Sequence, residues 1–289
     1  MSSAPVPVTR PGSPPVAARP AGDTRLEAVG ATLGYDRRVI CDGLSVRIPD
    51  RSFTVVVGPN GCGKSTLLRA LSRLVKPSAG AVVLDGRAIA SYRAKEVARV
   101  LGLLPQTSIA PDGITVDDLV ARGRYPHQGL VQRWSAADRE AVHAAMAATG
   151  VLDLAGRQVD ELSGGQRQRV WVAMLLAQQT PLMLLDEPTT FLDIGHQIEL
   201  LDLFADLNTH RGHTLVTVLH DLNHACRYAT HIIAMKDGTV VAEGSPRQVI
   251  TADLVHEIFD LPCRIIEDPE SRTPLIIPLR RTEGERATR

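Results

Sequence analysis

The chain of 289 residues lacks several features that would each point to a particular class of protein. It carries no net charge, since 32 Lys and Arg balance 32 Asp and Glu, whereas duplex-DNA-binding proteins have a basic surplus. Its longest uncharged apolar run, Val170 to Ala177, is far shorter than the roughly 20 residues of a membrane-spanning helix. We therefore expect no nucleic-acid partner and a chain that does not itself cross a membrane.

The sequence also lacks any Cys-x-x-Cys pair among its four cysteines. Scattered thiols in a chain of this length are typical of a reducing compartment such as the cytosol. The first 23 residues lack the continuous apolar segment of a signal peptide and are rich in proline. Residues 1–23 are predicted to be a flexible tail; a transit peptide is disfavoured because prolines break the amphipathic helix that it requires.

From residue 24 onward, strand-like and helix-like segments follow one another in a composition typical of a globular protein, with 44% hydrophobic residues. The run Phe53 to Val57 is β-branched, as in a strand buried on both faces. Alternating strand and helix patterns between Leu182 and Leu219 predict a parallel sheet. A largely helical stretch, Thr115 to Gly150, lies between the strand-rich parts.

Residues 58–65 read GPNGCGKS and lie between a predicted strand and a predicted helix, which matches the phosphate-binding pattern G-x-x-x-x-G-K-[ST]. Its glycines let backbone N–H groups point at phosphates, and the helix N-terminus adds partial positive charge. Lys64 would reach the β- and γ-phosphates, and Ser65 would ligate Mg²⁺. Cys62 is either a thiol activated by the helix N-terminus or a small spacer. The candidate nucleotide-binding residues here are Gly58, Pro59, Asn60, Gly61, Cys62, Gly63, Lys64, Ser65 and Thr66.

Residues 181–187 read PLMLLDE, an apolar strand that ends in two carboxylates. Ligands bind at the carboxyl ends of strands in α/β sheets. Asp186 would hold Mg²⁺, and Glu187 could accept a proton from the attacking water. Alone, two such acids are often only solvated loop residues, but the upstream phosphate loop favours catalysis.

Residues 162–168 read LSGGQRQ, in which Ser163 and Gln166 have the spacing of a capping box at a helix start. A plain helix start is the simpler interpretation. Gly164 and Gly165 leave backbone N–H groups uncovered, however, which suits a second anion site. A small-molecule kinase has no need for such a second site.

Taken in chain order, as residues 58–65, 162–166 and 182–187, these three motifs resemble the nucleotide-binding subunit of an ATP-binding cassette (ABC) transporter. The resemblance implies an α/β fold: a P-loop NTPase core with a mainly parallel sheet, an N-terminal antiparallel β-subdomain and a helical subdomain inserted at about 108–180. Residues 24–289 would form this ATP-binding domain. ATP and Mg²⁺ would be the cofactors.

The resemblance also implies roles for four further residues. Tyr35 would stack on adenine, although the residue is otherwise an ordinary strand aromatic. Gln106 would ligate Mg²⁺ and sense the membrane partner. His220 would contact the γ-phosphate and take part in catalysis; outside this pattern it would be a structural histidine. Asp193 would lie at the seam of a homodimer in which Ser163 to Gln166 of one subunit cover the nucleotide of the other.

Two further histidines give weaker signals. His220 and His224 are four residues apart, but no glutamate follows His220 as it does in zinc proteases. His127 is expected in a surface loop. Neither pattern predicts a metal site.

Three segments, residues 121–127, 189–197 and 219–227, are similar to importers of iron(III)-siderophore complexes, nearest to the ferric enterobactin type. This implies integral membrane permease subunits as partners, an extracytoplasmic siderophore-binding protein as an indirect partner, and a peripheral location on the cytoplasmic face of the cell membrane. Haem and cobalamin importers are the alternative. A soluble cassette ATPase not coupled to transport is disfavoured because the chain shows neither an inserted coiled coil nor a repeat.

Overall fold

A computed structural model describes residues 24–36, 38–129 and 134–280, so the predicted tail, 1–23, lies outside the described residues. Its strands are β1 (Thr24–Tyr35), β2 (Arg38–Pro49), β3 (Phe53–Val57), β4 (Ala79–Leu84), β5 (Arg87–Ala88), β6 (Leu101–Leu104), β7 (Leu182–Asp186), β8 (Thr214–Val218), β9 (His231–Lys236), β10 (Thr239–Gly244), β11 (Cys263–Glu267) and β12 (Pro274–Pro278). Its α-helices are α1 (Lys64–Leu71), α2 (Ala94–Ala98), α3 (Val116–Ala121), α4 (Ala136–Ala148), α5 (Gly164–Ala177), α6 (Ile194–Thr209), α7 (Leu222–Tyr228), α8 (Pro246–Val249) and α9 (Ala252–Phe259). Within these ranges, no helix has the length and apolar character to span a bilayer.

The central sheet has the strand order β10-β9-β3-β8-β7-β6. The strands from β9 to β6 pair in parallel, and β10 pairs antiparallel with β9. Strands β3, β7 and β8 are buried along their whole length, because apolar clusters cover both faces: Val55 belongs to one cluster and Val56 to the other. The predicted α/β fold with a mainly parallel sheet is confirmed.

Parallel pairing decides where the candidate functional residues lie. The carboxyl ends of parallel strands lie at one edge of a sheet. The phosphate loop follows β3, Gln106 follows β6, Glu187 follows β7 and His220 follows β8. Four segments that are far apart in the sequence therefore meet at this edge.

A second sheet, with the order β2-β1-β4-β5, is antiparallel throughout. Its buried side chains, such as Leu26 and Leu33, join the cluster that contains Leu67 and Leu68 of α1. The predicted N-terminal antiparallel sheet is thus confirmed, and it packs beside the helix that follows the phosphate loop.

Helices α3, α4 and α5 lie between β6 and β7 in the sequence, and they pack on one another. The hydroxyl groups of Thr115 and Ser135 cap the first two by accepting bonds from Asp118 N and Asp138 N. The limits of the helical subdomain, about 108–180, stay a prediction. His127 does not lie in a loop as expected: it ends a short 3₁₀ helix, and its Nε2 lies 2.7 Å from the Gln178 carbonyl oxygen.

A buried ion pair fixes this helical part to the end of α5. Arg124, 6% exposed, donates through Nε to Asp138 Oδ1 at 2.9 Å and through Nη1 to the Ala177 carbonyl at 2.7 Å. Hydrogen bonds from Ser135 and from Arg124 lower the pKa of Asp138 to about 2. Since the folded pKa lies below the ordinary 3.8, this contribution to stability is complete well above pH 3.8 and is lost as the pH falls towards 2.

We expect Asp138→Ala to lower the free energy of unfolding at pH 7 by about 3–5 kcal/mol, because the buried guanidinium loses its partner. Urea denaturation measures this, and the difference from the unchanged chain should narrow as the pH falls below 3.8. The control is Glu27→Ala, which breaks the Arg47–Glu27 pair; there Arg47 is 79% exposed, and a change below about 1 kcal/mol is expected. Equal effects of the two substitutions would contradict the assigned role of the buried pair.

Helix α6 begins at Ile194, because the Asp193 carboxylate accepts from His196 N and caps it. The hairpin of β11 and β12 was not predicted. Its second strand begins and ends with proline, a residue that usually indicates a turn and not a strand.

Candidate functional site

A cavity of about 550 Å³ lies at the carboxyl edge of the parallel strands. Such a volume is typical of small-molecule sites. The cavity combines the phosphate loop with the residues that follow β6, β7 and β8. Its lining residues are Arg38, Ile40, Asn60, Gly61, Gly63, Lys64, Ser65, Thr66, Gln106, Glu187 and His220.

The phosphate loop is wrapped around a buried lysine. Lys64 is 6% exposed, and its Nζ donates to the carbonyl oxygens of Gly58 and Pro59 at 2.8 and 2.9 Å. Glycine is required at Gly63, whose φ is 106° and where a Cβ would lie 2.8 Å from Cys41 Sγ. Helix α1 begins at Lys64, so its first N–H groups have no partner within the helix and favour an anion.

Two carboxylates lie where β7 ends, in different surroundings. Asp186 is 2% exposed and accepts from Ser65 Oγ at 2.9 Å; burial raises its pKa. Glu187 leaves the strand with φ 55°, in the left-handed region that is unusual outside glycine. Its Oε1 lies 2.7 Å from His220 Nε2. The site therefore places a cation and a helix N-terminus in one cavity with a carboxylate held by a histidine.

The turn after Glu187 is anchored by a residue that the sequence analysis did not single out. Gln168, on α5, donates through Nε2 to the Pro188 carbonyl oxygen at 2.9 Å and is only 9% exposed. The sequence offers no signal for this contact across 20 residues. A side chain of α5 thus supports the position of the Glu187 backbone.

Oxygen donors suited to Mg²⁺ are present at this site. The Ser65 hydroxyl contacts the Asp186 carboxylate, and Gln106 lines the same cavity as Ser65. Mg²⁺ prefers hard oxygen ligands and binds through few protein groups together with substrate phosphates. A nearby divalent cation would also offset the burial of the Asp186 carboxylate, so these residues fit the ion. Among the described residues there is no group of three or more His, Cys, Asp or Glu placed to hold a metal.

Several predicted site residues do not line this cavity. Tyr35 is 42% exposed, and its hydroxyl accepts from Arg69 Nη1 at 3.1 Å. Gly58, Pro59, Cys62 and Asp186 are not among the lining residues either. Gly58 and Pro59 accept from Lys64, and Asp186 accepts from Ser65, so three of the four contact residues that do line the cavity. The residues Ser163, Gly164, Gly165, Gln166 and Asp193 also lie outside the cavity lining of their own chain.

The segment from Ser163 to Gln166 forms the capping box that its spacing predicted. Ser163 Oγ accepts from Gln166 N at 3.2 Å, and Gln166 Oε1 accepts from Ser163 N at 3.1 Å. A Cβ at Gly164 would lie 3.3 Å from Phe191 Cβ, so this helix start adjoins the turn that leads to Asp193. Its predicted contact with a nucleotide stays a prediction.

The suggestion that Cys62 is an activated thiol is wrong. The residue is 4% exposed, and burial raises its pKa although Lys64 acts in the opposite direction. Its Sγ lies 2.8 Å from where a Cβ of Gly58 would stand. Cys62 is a small buried spacer in the loop.

Arg38 and Ile40 line the cavity but were not predicted. Both lie on β2, whose pairing with β1 sets Arg38 opposite Tyr35. A guanidinium here adds a second cation to a cavity that already holds Lys64. In the sequence, only their position shortly after Tyr35 could have indicated that they line the nucleotide site.

Comparison with known proteins agrees with this geometry. The ABC transporter family profile matches residues 41–190. The chain is 58% identical over 258 residues to the ferric enterobactin transport ATP-binding protein FepC of Escherichia coli (strain K12), covering 89% of this chain and 95% of that one. It is 52% identical to the achromobactin transport ATP-binding protein CbrD of Dickeya dadantii (strain 3937), covering 89% and 96%.

Among solved structures, the fold is similar to a dimeric post-hydrolysis state of the ATP-binding cassette MJ0796 bound to ADP and Pi. The TM-score is 0.69 at 27% identity, covering 76% of this chain and 98% of that one. Fold, cavity and sequence similarity therefore agree. The chain belongs to the ABC transporter family and is one of its ATP-binding, ATP-hydrolysing cassettes.

Proposed function

We propose that this ATPase supplies the energy for import of an iron(III)-siderophore complex. The observation that carries the substrate class is the 58% identity, over nearly the whole chain, to a ferric enterobactin transport ATP-binding protein. No residue of the cavity would touch the cargo, because the cavity is built for phosphates. The siderophore assignment therefore depends on relatedness, whereas the hydrolytic chemistry depends on the site.

In the proposed reaction, Lys64, the start of α1 and Arg38 bind the phosphates of ATP. Glu187 accepts a proton from the water that attacks the γ-phosphorus, and His220 holds the Glu187 carboxylate through the 2.7 Å contact and reaches the γ-phosphate. Mg²⁺, held by Ser65, Gln106 and Asp186, would neutralise charge on the β- and γ-phosphates. Tyr35 would contact the adenine.

We further propose that the active form is a homodimer. The residues Ser163 to Gln166 do not line the cavity of their own chain. Ser163 caps Gln166 N, while Gly164 is exposed and places no side chain over the first turn of α5. Next to them, Phe191 and Ile194 are 75% and 77% exposed on either side of Asp193. Exposed apolar side chains beside an anion-binding helix start suit a second copy that brings its nucleotide to this surface.

The permease subunits would bind near Gln106 at the cytoplasmic face of the cell membrane, and an extracytoplasmic siderophore-binding protein would act through them. Two apolar side chains support a contact surface there: Ile109 is 88% exposed and Tyr125 is 58% exposed. Arg99 Nε donates to the Pro126 carbonyl at 2.8 Å, which ties the Tyr125 segment to α2. The division into residues 24–289 with a helical part at about 108–180 belongs to this proposal.

Deletion of the gene should abolish energy-dependent uptake of a ⁵⁵Fe-labelled iron-siderophore complex and slow growth under iron limitation. The gene for the unchanged chain should restore both, and Glu187→Gln should restore neither, because transport lacks its hydrolysis step. Uptake of cobalamin and haem in the same strains is the control. Normal siderophore uptake together with a loss of cobalamin or haem uptake would overturn the substrate class and leave the importer mechanism in place.

A further inference from the structure

His220 is held in the cavity by the start of helix α7. Only Leu219 separates it from the end of β8, and the next residue, Asp221, is the N-cap of that helix. The Asp221 carboxylate accepts from Asn223 N at 2.7 Å and from His224 N at 3.0 Å. The position of this first turn therefore determines how His220 meets Glu187.

The same first turn is joined to the far end of the chain by one side chain. Asn223 Nδ2 donates to the Ile276 carbonyl oxygen at 3.3 Å, and Asn223 Oδ1 accepts from Ile276 N at 2.8 Å. One amide thus pairs with both backbone groups of a β12 residue that is 53 positions away. Ile276 is 5% exposed, so a lost partner would leave buried backbone groups unpaired.

The hairpin that carries Ile276 is itself firmly built. Strands β11 and β12 pair in register from Cys263 opposite Pro278 to Glu267 opposite Pro274. The Glu267 carboxylate accepts from Arg247 at 2.8 Å and from Arg272 at 3.0 Å. The hairpin can therefore act as a fixed support for α7.

We propose that Asn223 is a positioning residue for ATP hydrolysis, which anchors the start of α7 to the C-terminal hairpin and so holds His220 against Glu187. The inference rests on the proposed function, in which Glu187 accepts the proton of the attacking water. Asn223 touches no reacting atom. Its effect passes through His220.

The test is steady-state ATPase activity of the full 289-residue chain. Asn223→Ala is expected to lower kcat about 5- to 20-fold, since two hydrogen bonds are lost, while KM for ATP stays within about twofold. Asn223→Asp keeps the acceptor for Ile276 N but sets a carboxylate oxygen against the Ile276 carbonyl oxygen in place of the amide donor, so it should also lower kcat. The matched control is Tyr228→Phe, which removes a side-chain hydrogen bond to Asp202 at the other end of α7 and should leave kcat unchanged.

A double-mutant cycle separates positioning from general stability. In the His220→Ala background, measured by single-turnover phosphate release, Asn223→Ala should change the rate less than about twofold, because its effect passes through the missing imidazole. The inference would be overturned if Asn223→Ala lowered the rate by the same factor with and without His220, or if Asn223→Ala alone left kcat unchanged. Thermal unfolding of each variant is measured alongside. If Asn223→Ala does not fold, an unchanged kcat of a folded Asn223→Asp chain overturns the inference.

Glu187→Gln in the same assay separates the two proposals. If it hydrolyses ATP at the unchanged rate, the proposed function fails at its catalytic step. If it loses activity while Asn223→Ala keeps the full kcat, only the role of Asn223 fails.

Discussion

Glu187→Gln is expected to lower ATP hydrolysis by about 100-fold or more while ATP still binds. A positioned general base contributes about 10²- to 10⁴-fold, and an amide of the same shape cannot accept the proton of water. The carboxylate is 12% exposed and lies 2.7 Å from His220 Nε2, so the substitution changes chemistry more than packing. Phosphate release and equilibrium binding of ATP measure the two properties separately.

The same variant should accumulate as an ATP-bound dimer, because hydrolysis no longer separates the two copies. Size-exclusion chromatography with ATP tests this. Glu257→Gln is the matched control, since Glu257 lies on α9 away from the cavity lining. A Glu187→Gln chain that binds ATP but stays monomeric would rule out the dimer with two shared nucleotides.

Lys64→Ala should weaken ATP binding by about 10- to 150-fold. The buried ammonium is the charged donor at the centre of the phosphate loop, and a hydrogen bond to a charged group contributes about 1.5–3 kcal/mol. Isothermal titration calorimetry with ATP measures the dissociation constant. Lys76→Ala, an exposed lysine outside the cavity lining, should leave it unchanged.

Lys64 also donates to the carbonyl oxygens of Gly58 and Pro59, so thermal unfolding of the variant must be compared with that of the unchanged chain. A weakened ATP affinity with an unchanged melting temperature assigns the loss to the phosphate contact. An unchanged ATP affinity would contradict the role of Lys64.

The central fold and the phosphate loop could be predicted because their signals are local. The β-branched run of β3, the glycines that follow it and the start of α1 are adjacent in sequence. Parallel pairing then brings Glu187 and His220 to the same edge without further information. Their meeting in the cavity agrees with that prediction, and their chemical roles stay proposals.

Contacts set by register or by distant partners could not be predicted. The pairing of β1 with β2 shifts at several irregular positions between Ala28 and Gly34, and each such bulge changes which residues face inward. Sequence alternation alone therefore could not place Arg38 in the cavity. The contact of Asn223 with Ile276 uses backbone groups of a remote residue, for which no side-chain pattern exists.

The position of β3 in the middle of the parallel sheet also determines when the nucleotide site can first exist during synthesis. Phe53 pairs with Leu215, and Thr54 pairs with His231. Because synthesis adds about 5–20 residues per second, β8 leaves the ribosome roughly 8–32 s after β3. Until then an apolar strand has neither lateral partner, and the phosphate loop cannot yet have Glu187 and His220 around it. ATP therefore cannot stabilise the growing chain at this site, and protection of β3 in that interval falls to the N-terminal sheet, to α1 or to chaperones.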